Sequence, residues 1–327
     1  MPDRRRVLST ALALATGAAL LGACGTAGPE ADGPAGAARA GGSASKINIG
    51  PDQHRVRAAK VPAIAAQVPA RIRARGTLQL GINAGSNPPL GFYATDDKTL
   101  IGVETDIAHL VADTLGLRPE FAPLSWENLF VGLDSGKLDG VFSNVTVTEE
   151  RKAKYDFATY RLDNLAVETK KGSGWKVAGA RDVAGRTVAV SSGTNQEKIL
   201  LDWSEENERA GRDPVHITYY QNASDYYLAL QSGRIDAYFG PHPTAAYHAA
   251  TSGQSEIAGT FSGGGTAVPG KIAATTKKGS GLVRAYAAAL RHVIGTGQYG
   301  RVLARWGLSS EAVRTSEINP RGLPGAG

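Results

Sequence analysis

Apolar and polar positions alternate over Thr77-Leu78-Gln79-Leu80-Gly81-Ile82, directly after Gly76, and this period of two predicts a strand. From Val103 to Leu115 the period changes. Ile107, Leu110, Val111 and Leu115 fall three and four positions apart, which predicts a helix. Glu120 to Leu124 reads as a second short strand. Trp126, Leu129, Phe130 and Leu133 form the next helical stripe, which stops at Ser135-Gly136, and Asp139 to Phe142 reads as a third strand. The order then recurs. Gly185 to Val190 reads as a strand, Thr194 to Trp203 as a helix and Ile217 to Tyr220 as a strand. Tyr226, Tyr227 and Leu230 line a helix ending at Ser232-Gly233. Lys271 to Thr275 is strand-like, and Leu282 to Ile294 and Tyr299 to Trp306 are helical. Strands alternating with helices predict an α/β layer with parallel strands.

One unit is present twice. Leu133-Asp134-Ser135-Gly136-Lys137-Leu138-Asp139-Gly140 and Leu230-Gln231-Ser232-Gly233-Arg234-Ile235-Asp236-Ala237 share the pattern Leu-x-Ser-Gly-basic-apolar-Asp-small. Two copies of one supersecondary unit imply two lobes of like topology, with a ligand cleft between them at the carboxyl ends of the strands. The last strand and helices return to the first lobe. The chain then crosses near Tyr160–Asn164 and again near Thr266–Gly270, and two crossings make a hinge. The expected division is 61–160 plus 270–310 for lobe 1, 165–265 for lobe 2 and an irregular tail over 311–327. Pro62 to Arg75 reads as a short helix or linker before the first strand.

The amino-terminal end follows none of these periods. Arg4-Arg5-Arg6 precedes an apolar stretch from Val7 to Ala23 that closes with Leu21-Gly22-Ala23-Cys24. A basic start, a short apolar core and small residues describe an export signal over 1–23. The stretch falls short of the ~20 residues of a membrane span. Leu-Gly-Ala-Cys resembles a bacterial lipobox, which implies cleavage before Cys24 and lipidation of its thiol. The alternative is an incidental cysteine beside an ordinary cleavage site. The arginine run also resembles a twin-arginine signal, so the export route stays open. Residues 24–60, rich at first in Gly, Ala, Pro and Ser, read as a flexible tether to a membrane anchor.

Composition narrows the function classes. At 327 residues the chain exceeds what one core usually supports, and 42% hydrophobic with 20% charged residues is ordinary for a globular protein. A single cysteine excludes an intrachain disulfide and a cysteine zinc cage. The six histidines form no His-x3-His pair, so no metal and no cofactor are expected. Thirty-six basic residues against 30 acidic ones give +6 without a basic run in the body of the chain, which argues against nucleic acid as a partner.

A set of motifs stands in one order: Gly76-Thr77-Leu78, Pro89-Leu90-Gly91-Phe92, Gly102-Val103-Glu104-Thr105-Asp106-Ile107, Trp126, Thr146-Val147-Thr148-Glu149-Glu150-Arg151 and Asp156-Phe157-Ala158. Asp182-Val183-Ala184-Gly185, Ser192-Gly193-Thr194-Asn195-Gln196-Glu197, Gly297-x-Tyr299 and Arg305-Trp306-Gly307 follow. From about Gly76 to Gly307 the chain resembles the family 3 solute-binding proteins, the polar-amino-acid receptors of bacterial ABC importers. The resemblance implies a type II-like periplasmic-binding-protein fold, two α/β lobes joined by a two-strand hinge. It also implies a monomer that closes on a small polar ligand and delivers it to a permease and ATPase. With Cys24 lipidated, the protein would be anchored to the extracytoplasmic face of the cell membrane. The resemblance implies binding and not catalysis. The alternative on the same fold is an exported dehydratase-like enzyme, and fold alone does not separate the two.

The resemblance also implies a ligand site. Arg151 matches an arginine that forks onto the ligand's carboxylate, a task suited to the planar guanidinium; by itself it would read as a surface arginine. Ser143, Asn144 and Thr146 precede it, where backbone groups accept from the ligand's ammonium and donate to its carboxylate. Asn144 occupies a place that is often glycine in the family. Thr194 and Asn195 match residues that bind the carboxylate from the second lobe, and Thr194 with Glu197 also fits a helix-capping box. Trp126 is either a wall against the ligand's side chain or a core aromatic. Asn87 stands where several relatives carry a second aromatic wall. Pro241 stands where the family usually carries the aspartate that pairs with the ligand's ammonium, and proline supplies neither charge nor donor. The ligand is therefore expected to be an amino acid or a related small carboxylate or sulfonate, with its ammonium in question.

Overall fold

In the computed structural model, residues 47–85 and 88–325 are described. Two short helices, α1 (Pro62–Ala65) and α2 (Ala70–Arg75), lead into strand β1 (Thr77–Ile82) and the hairpin β2 (Phe92–Tyr93) and β3 (Leu100–Ile101). Then follow α3 (Val103–Leu115), β4 (Arg118–Pro123), α4 (Trp126–Asp134), β5 (Gly140–Val141), β6 (Tyr155–Leu162) and β7 (Asn164–Lys170). Next come β8 (Thr187–Val190), α5 (Asn195–Arg209), β9 (His216–Tyr219), α6 (Ala223–Ser232), β10 (Ala237–Pro241), α7 (His242–Ser252) and β11 (Ser255–Ser262). Strand β12 (Lys271–Lys277) and helices α8 (Val283–Gly295) and α9 (Gln298–Arg305) close the series.

The strands form two five-stranded sheets of matching design, β4-β1-β5-β12-β6 and β9-β8-β10-β7-β11. In each, three neighbouring strands are parallel, as the alternation predicts, but the next strand, β12 or β7, runs antiparallel to them, and the edge strand, β6 or β11, pairs antiparallel with that one. The sheets are therefore mixed and not purely parallel. The chain passes between sheets at Asp163 and again over residues 263–270.

The repeated unit does the same work in both lobes. Gly136 and Gly233 adopt left-handed φ values of 73° and 76°, which end the preceding helices. The aspartate after each then clasps the neighbouring strand. Asp139 donates its amide to the Gln79 carbonyl (2.8 Å) and accepts the Gln79 amide at Oδ2 (2.8 Å). Asp236 makes the same pair with Thr187, both at 2.8 Å.

Burial follows the strand period. Leu78 and Leu80 of β1 pack with Ile107, Val111, Tyr286 and Leu290 of α3 and α8, while Leu129, Leu133 and Val141 fill the opposite face. In lobe 2, Val188 and Val190 face α5 through Ile199 and Leu200, and Ala189 faces α6 through Tyr226 and Leu230. With both faces covered, the strand ends are what remains for a ligand.

Two expected boundaries shift. Residues 47–60, read above as tether, lie along lobe 1. Arg55 meets the buried Asp106 at 3.0 Å, Arg57 forks onto Asp113 with two contacts of 2.7 Å, and Ile47, Val56 and Ala58 pack on the core. The tail has no helix or strand beyond a 3-10 turn at Ser309–Glu311, yet it is packed. Ile318 bridges to Ala158 of lobe 1, and Leu323 bridges to Thr148 while its side chain joins the lobe 2 core. Among the described residues no helix is long and apolar enough to cross a membrane.

Candidate functional site

A cavity of about 510 Å³ opens between the lobes. That volume suits a small-molecule site. Lobe 1 contributes Trp126 and Glu127 from the start of α4, Tyr93 from β2, Asn83 after β1, and Ser143 and Asn144 after β5. Lobe 2 contributes Thr194, Asn195 and Gln196 from the start of α5, Tyr226 from α6, and Tyr238 and Pro241 from β10. Apart from Tyr238, near the start of β10, each group stands at the carboxyl end of a strand or the first turn of a helix, the position the doubled α/β design leaves open.

Six of the expected residues line this cavity together: Trp126, Ser143, Asn144, Thr194, Asn195 and Pro241. Ser143 Oγ accepts the Asn83 amide at 2.8 Å, which closes the strand end. Thr194 caps α5, its hydroxyl accepting the Glu197 amide at 3.2 Å, while Glu197 reaches back to the Gly193 amide at 2.6 Å. Pro241 ends β10 and is the cap residue of α7, so the segment Pro241-His242-Pro243 opens a helix and is not a loop. Proline is well suited to a helix start. Asn87 and Cys24 lie outside the described residues.

Thr146 and Arg151 are placed differently, because neither lines the cavity. Thr146 Oγ1 is buried at the lobe junction. It donates to Asp163 Oδ2 at 2.7 Å and lies 3.0 Å from Asn195 Oδ1. Asn195 Nδ2 in turn donates to Asp163 Oδ2 and to the Gly263 carbonyl, both at 3.0 Å. The Thr146 hydroxyl and the carboxamide of Asn195, which also lines the cavity, are thus held by a hinge aspartate that the sequence reading left aside. Burial pushes the Asp163 carboxyl up to about 6, against the opposing pull of Thr146 and Arg161.

Arg151 is turned to the protein itself. Nη1 donates to the Thr146 carbonyl (3.0 Å) and Nη2 to the Gly193 carbonyl of lobe 2 (2.9 Å). Its guanidinium carbon lies 5.3 Å from the Trp126 ring centre and 5.5 Å from that of Phe130. Burial lowers its pKa to about 10, which still leaves it charged at neutral pH. Trp126 Nε1 also donates to the Gly193 carbonyl, at 3.2 Å. Arg151 and Trp126 therefore act together as a clasp across the cleft mouth, and Trp126 is both wall and clasp.

Tyr226 and Tyr238 are further lining residues; periodicity placed Tyr226 in a helix stripe and did not single out Tyr238. Their rings stack at 3.7 Å with planes 1° apart. Glu127 is the one carboxylate in the lining, and the lining holds no histidine, lysine or arginine among the described residues. No cluster of potential metal ligands occurs among the described residues. The described lining offers amide and hydroxyl hydrogen bonds and one carboxylate between aromatic walls.

The comparisons with known proteins agree with this architecture. The L-cystine-binding protein TcyJ of Escherichia coli is 35% identical over 168 residues, 51% of this chain, which spans 59% of that relative's length. The arginine-binding protein ArgT of Corynebacterium glutamicum is 32% identical over 276 residues, covering 80% of this chain and 84% of its own. Among solved structures, the ancestral amino acid-binding protein AncCDT-1, a precursor of cyclohexadienyl dehydratase, superposes with a TM-score of 0.61 at 26% identity. That superposition covers 72% of this chain and 97% of the other. Residues 78–309 match the sequence pattern of one family, and the chain belongs to it: the bacterial extracellular solute-binding proteins, family 3.

Proposed function

We propose that this chain is the lipid-anchored, extracytoplasmic substrate-binding component of an ABC importer, taking an amino acid or a related small carboxylate into the interlobe cleft. The observation that carries the reading is a cavity lined from both lobes by hydrogen-bonding side chains and aromatic walls, at the strand ends of a family 3 fold. A ligand held by both lobes stabilises their closed arrangement, and closure is the signal a permease and ATPase would read. Cys24, the only cysteine, is the anchor in this reading, and Cys24→Ala should move the protein from the membrane fraction to the soluble one. Unchanged detergent partitioning of that variant would end the anchor proposal.

The relatives named for cystine and arginine supply the probes. Calorimetry with L-cystine, L-arginine and their N-methylated analogues should find saturable one-to-one binding for at least one of them. Pro241 leaves the lobe 2 wall without the acid that would meet a primary ammonium, so N-substituted analogues should lose little or gain. Arg151→Ala removes the cross-cleft bond to Gly193 and any carboxylate contact the guanidinium turns to make. A charged hydrogen bond is worth about 1.5–3 kcal/mol, so binding should weaken by about tenfold or more. If no amino acid or analogue binds, the amino-acid reading fails. The dehydratase-like alternative has the likeness to a dehydratase precursor behind it, although that relative is itself named as a binding protein.

A further inference from the structure

Asn144 projects from the cavity wall in a left-handed backbone conformation, φ 53°, and its side chain is held from behind. Arg161 Nη2 donates to Asn144 Oδ1 and also to Glu104 Oε1 at 2.9 Å, and Arg161 Nη1 donates to Glu311 Oε2. Arg161, Glu104 and Glu311 are each no more than 1% exposed. Tyr160 donates its hydroxyl to Glu104, and Asn164 Nδ2 donates to Glu311 Oε1 at 3.2 Å. The guanidinium is therefore pinned between two carboxylates, one on α3 and one in the tail.

This arrangement fixes which end of the carboxamide faces the ligand. Arginine carries donors only, so the atom of Asn144 that meets it must be the oxygen. The amide nitrogen is left on the other side, and among the described residues Nδ2 has no partner. A donor pair is thus presented at the hinge end of a cavity whose lining holds no cationic side chain. Glu311 lies beyond residue 309, where the family match ends, so the tail supplies a part that the family region does not contain.

We propose that Glu311, acting through Arg161, is a positioning residue that aims the Asn144 side-chain amide at an acceptor oxygen of the ligand, a carboxylate or carbonyl. The assignment rests on the cleft being the ligand site. It makes the tail a determinant of binding, and it gives the cavity an oxygen-recognising group in addition to Arg151, whose guanidinium is engaged with two carbonyls.

Two measurements on the full chain test this. In the ligand-free protein labelled with ¹⁵N at asparagine side chains, Asn144→Asp assigns the Asn144 amide pair. Glu311→Gln should shift that pair, while Glu317→Gln should leave it in place. Glu317, in the same tail, pairs with Lys271 at 2.6 Å, whereas the Arg161 guanidinium bonds to Glu104, Glu311 and Asn144. Equal shifts in both variants, or none in either, overturn the positioning role. The second measurement is calorimetry with L-cystine and L-arginine. Asn144→Asp keeps the oxygen that Arg161 holds but replaces the donor pair with an acceptor. It should weaken the bound probe at least tenfold without lowering the melting temperature, and Glu311→Gln should weaken it several-fold. Wild-type affinity in Asn144→Asp refutes the donor role. If neither amino acid binds the wild-type protein, the amino-acid reading falls, and the amide resonances still decide whether Glu311 positions Asn144.

Discussion

Asp163 is one residue on which several contacts converge. Thr146 of lobe 1 and Asn195 of lobe 2 both meet its Oδ2, and no cation forms a direct pair with it among the described residues. When ionised it accepts a hydrogen bond from the Thr146 hydroxyl. Once protonated it can donate to Thr146, which is then free to donate to Asn195 Oδ1 at 3.0 Å. Burial raises its pKa from the ordinary 3.8 to about 6. A raised carboxyl contributes stability that is fully present below its ordinary pKa and is lost as pH rises through the folded value. The window is therefore pH 4 to about 6, and the loss by neutral pH is up to about 3 kcal/mol. Asp163→Asn keeps the shape without the charge. Relative to wild type it should gain about 2–3 kcal/mol between pH 4 and pH 7.5, read by urea denaturation at both ends. A difference that stays constant with pH would show that Asp163 does not titrate in this window. No pattern in the sequence marks this role, because a lone aspartate between Leu162 and Asn164 in a crossing segment looks like a solvated turn residue.

At the scale of elements, periodicity was informative where apolar positions recur without interruption and silent where buried charges interrupt them. β1, α3, α4 and α8 each carry a clean stripe, and the structure has them within a few residues of the expected bounds, whereas α5 runs on past the expected Trp203 to Arg209. The hinge strands β6, β7 and β11 carry Arg161, Glu168 and Glu256 among their apolar residues, which breaks the alternation. Arg161 and Glu168 are fully buried and bonded to partners far away in the chain, Glu311 and His248, and sequence pattern cannot show such pairing. Pro241-His242-Pro243 masked the start of α7 for the opposite reason: prolines that break a helix interior are at home in its first turn. The same limit hid the cavity's tyrosine wall, since Tyr226 and Tyr238 meet only through tertiary packing. The tail shows how far an irregular segment can be built in. Leu323 is 4% exposed and lodged in the lobe 2 core, although no regular element carries it. Leu323→Ala should cost about 2–5 kcal/mol by leaving a cavity. Leu228→Ala, at a residue 65% exposed on α6, should stay within about 0.5 kcal/mol. Thermal denaturation of the two variants separates a packed tail from a loose one, and equal small effects would mean that the tail detaches in solution.

For the whole molecule, the two lobes are one design used twice, joined where their long antiparallel strands meet. The two crossings are stitched side by side. Asp163 donates its amide to the Gly270 carbonyl at 2.9 Å, and its own carbonyl accepts the Gly263 amide at 2.8 Å. At the cleft mouth, Trp126 and Arg151 of lobe 1 share the Gly193 carbonyl of lobe 2. Opening the cleft must break these two bonds and loosen the contacts of Asn195 with Thr146 and Asp163, whereas a ligand touching both walls adds contacts only to the closed arrangement. Small-angle scattering should therefore show a smaller radius of gyration when a binding amino acid saturates the protein. Gly263 tests the hinge end of this balance. A Cβ there would lie 1.6 Å from Asp163 Oδ2 and 2.9 Å from Asn195 Nδ2, so Gly263→Ala must push the aspartate off its partners. The variant should be more expanded than wild type without ligand. It should also bind more weakly, in proportion to the closed population it has lost. Expansion without a loss of affinity would place the closing free energy at the Gly193 clasp, and scattering identical to wild type in both states would show that the Asp163 junction has no part in holding the lobes together.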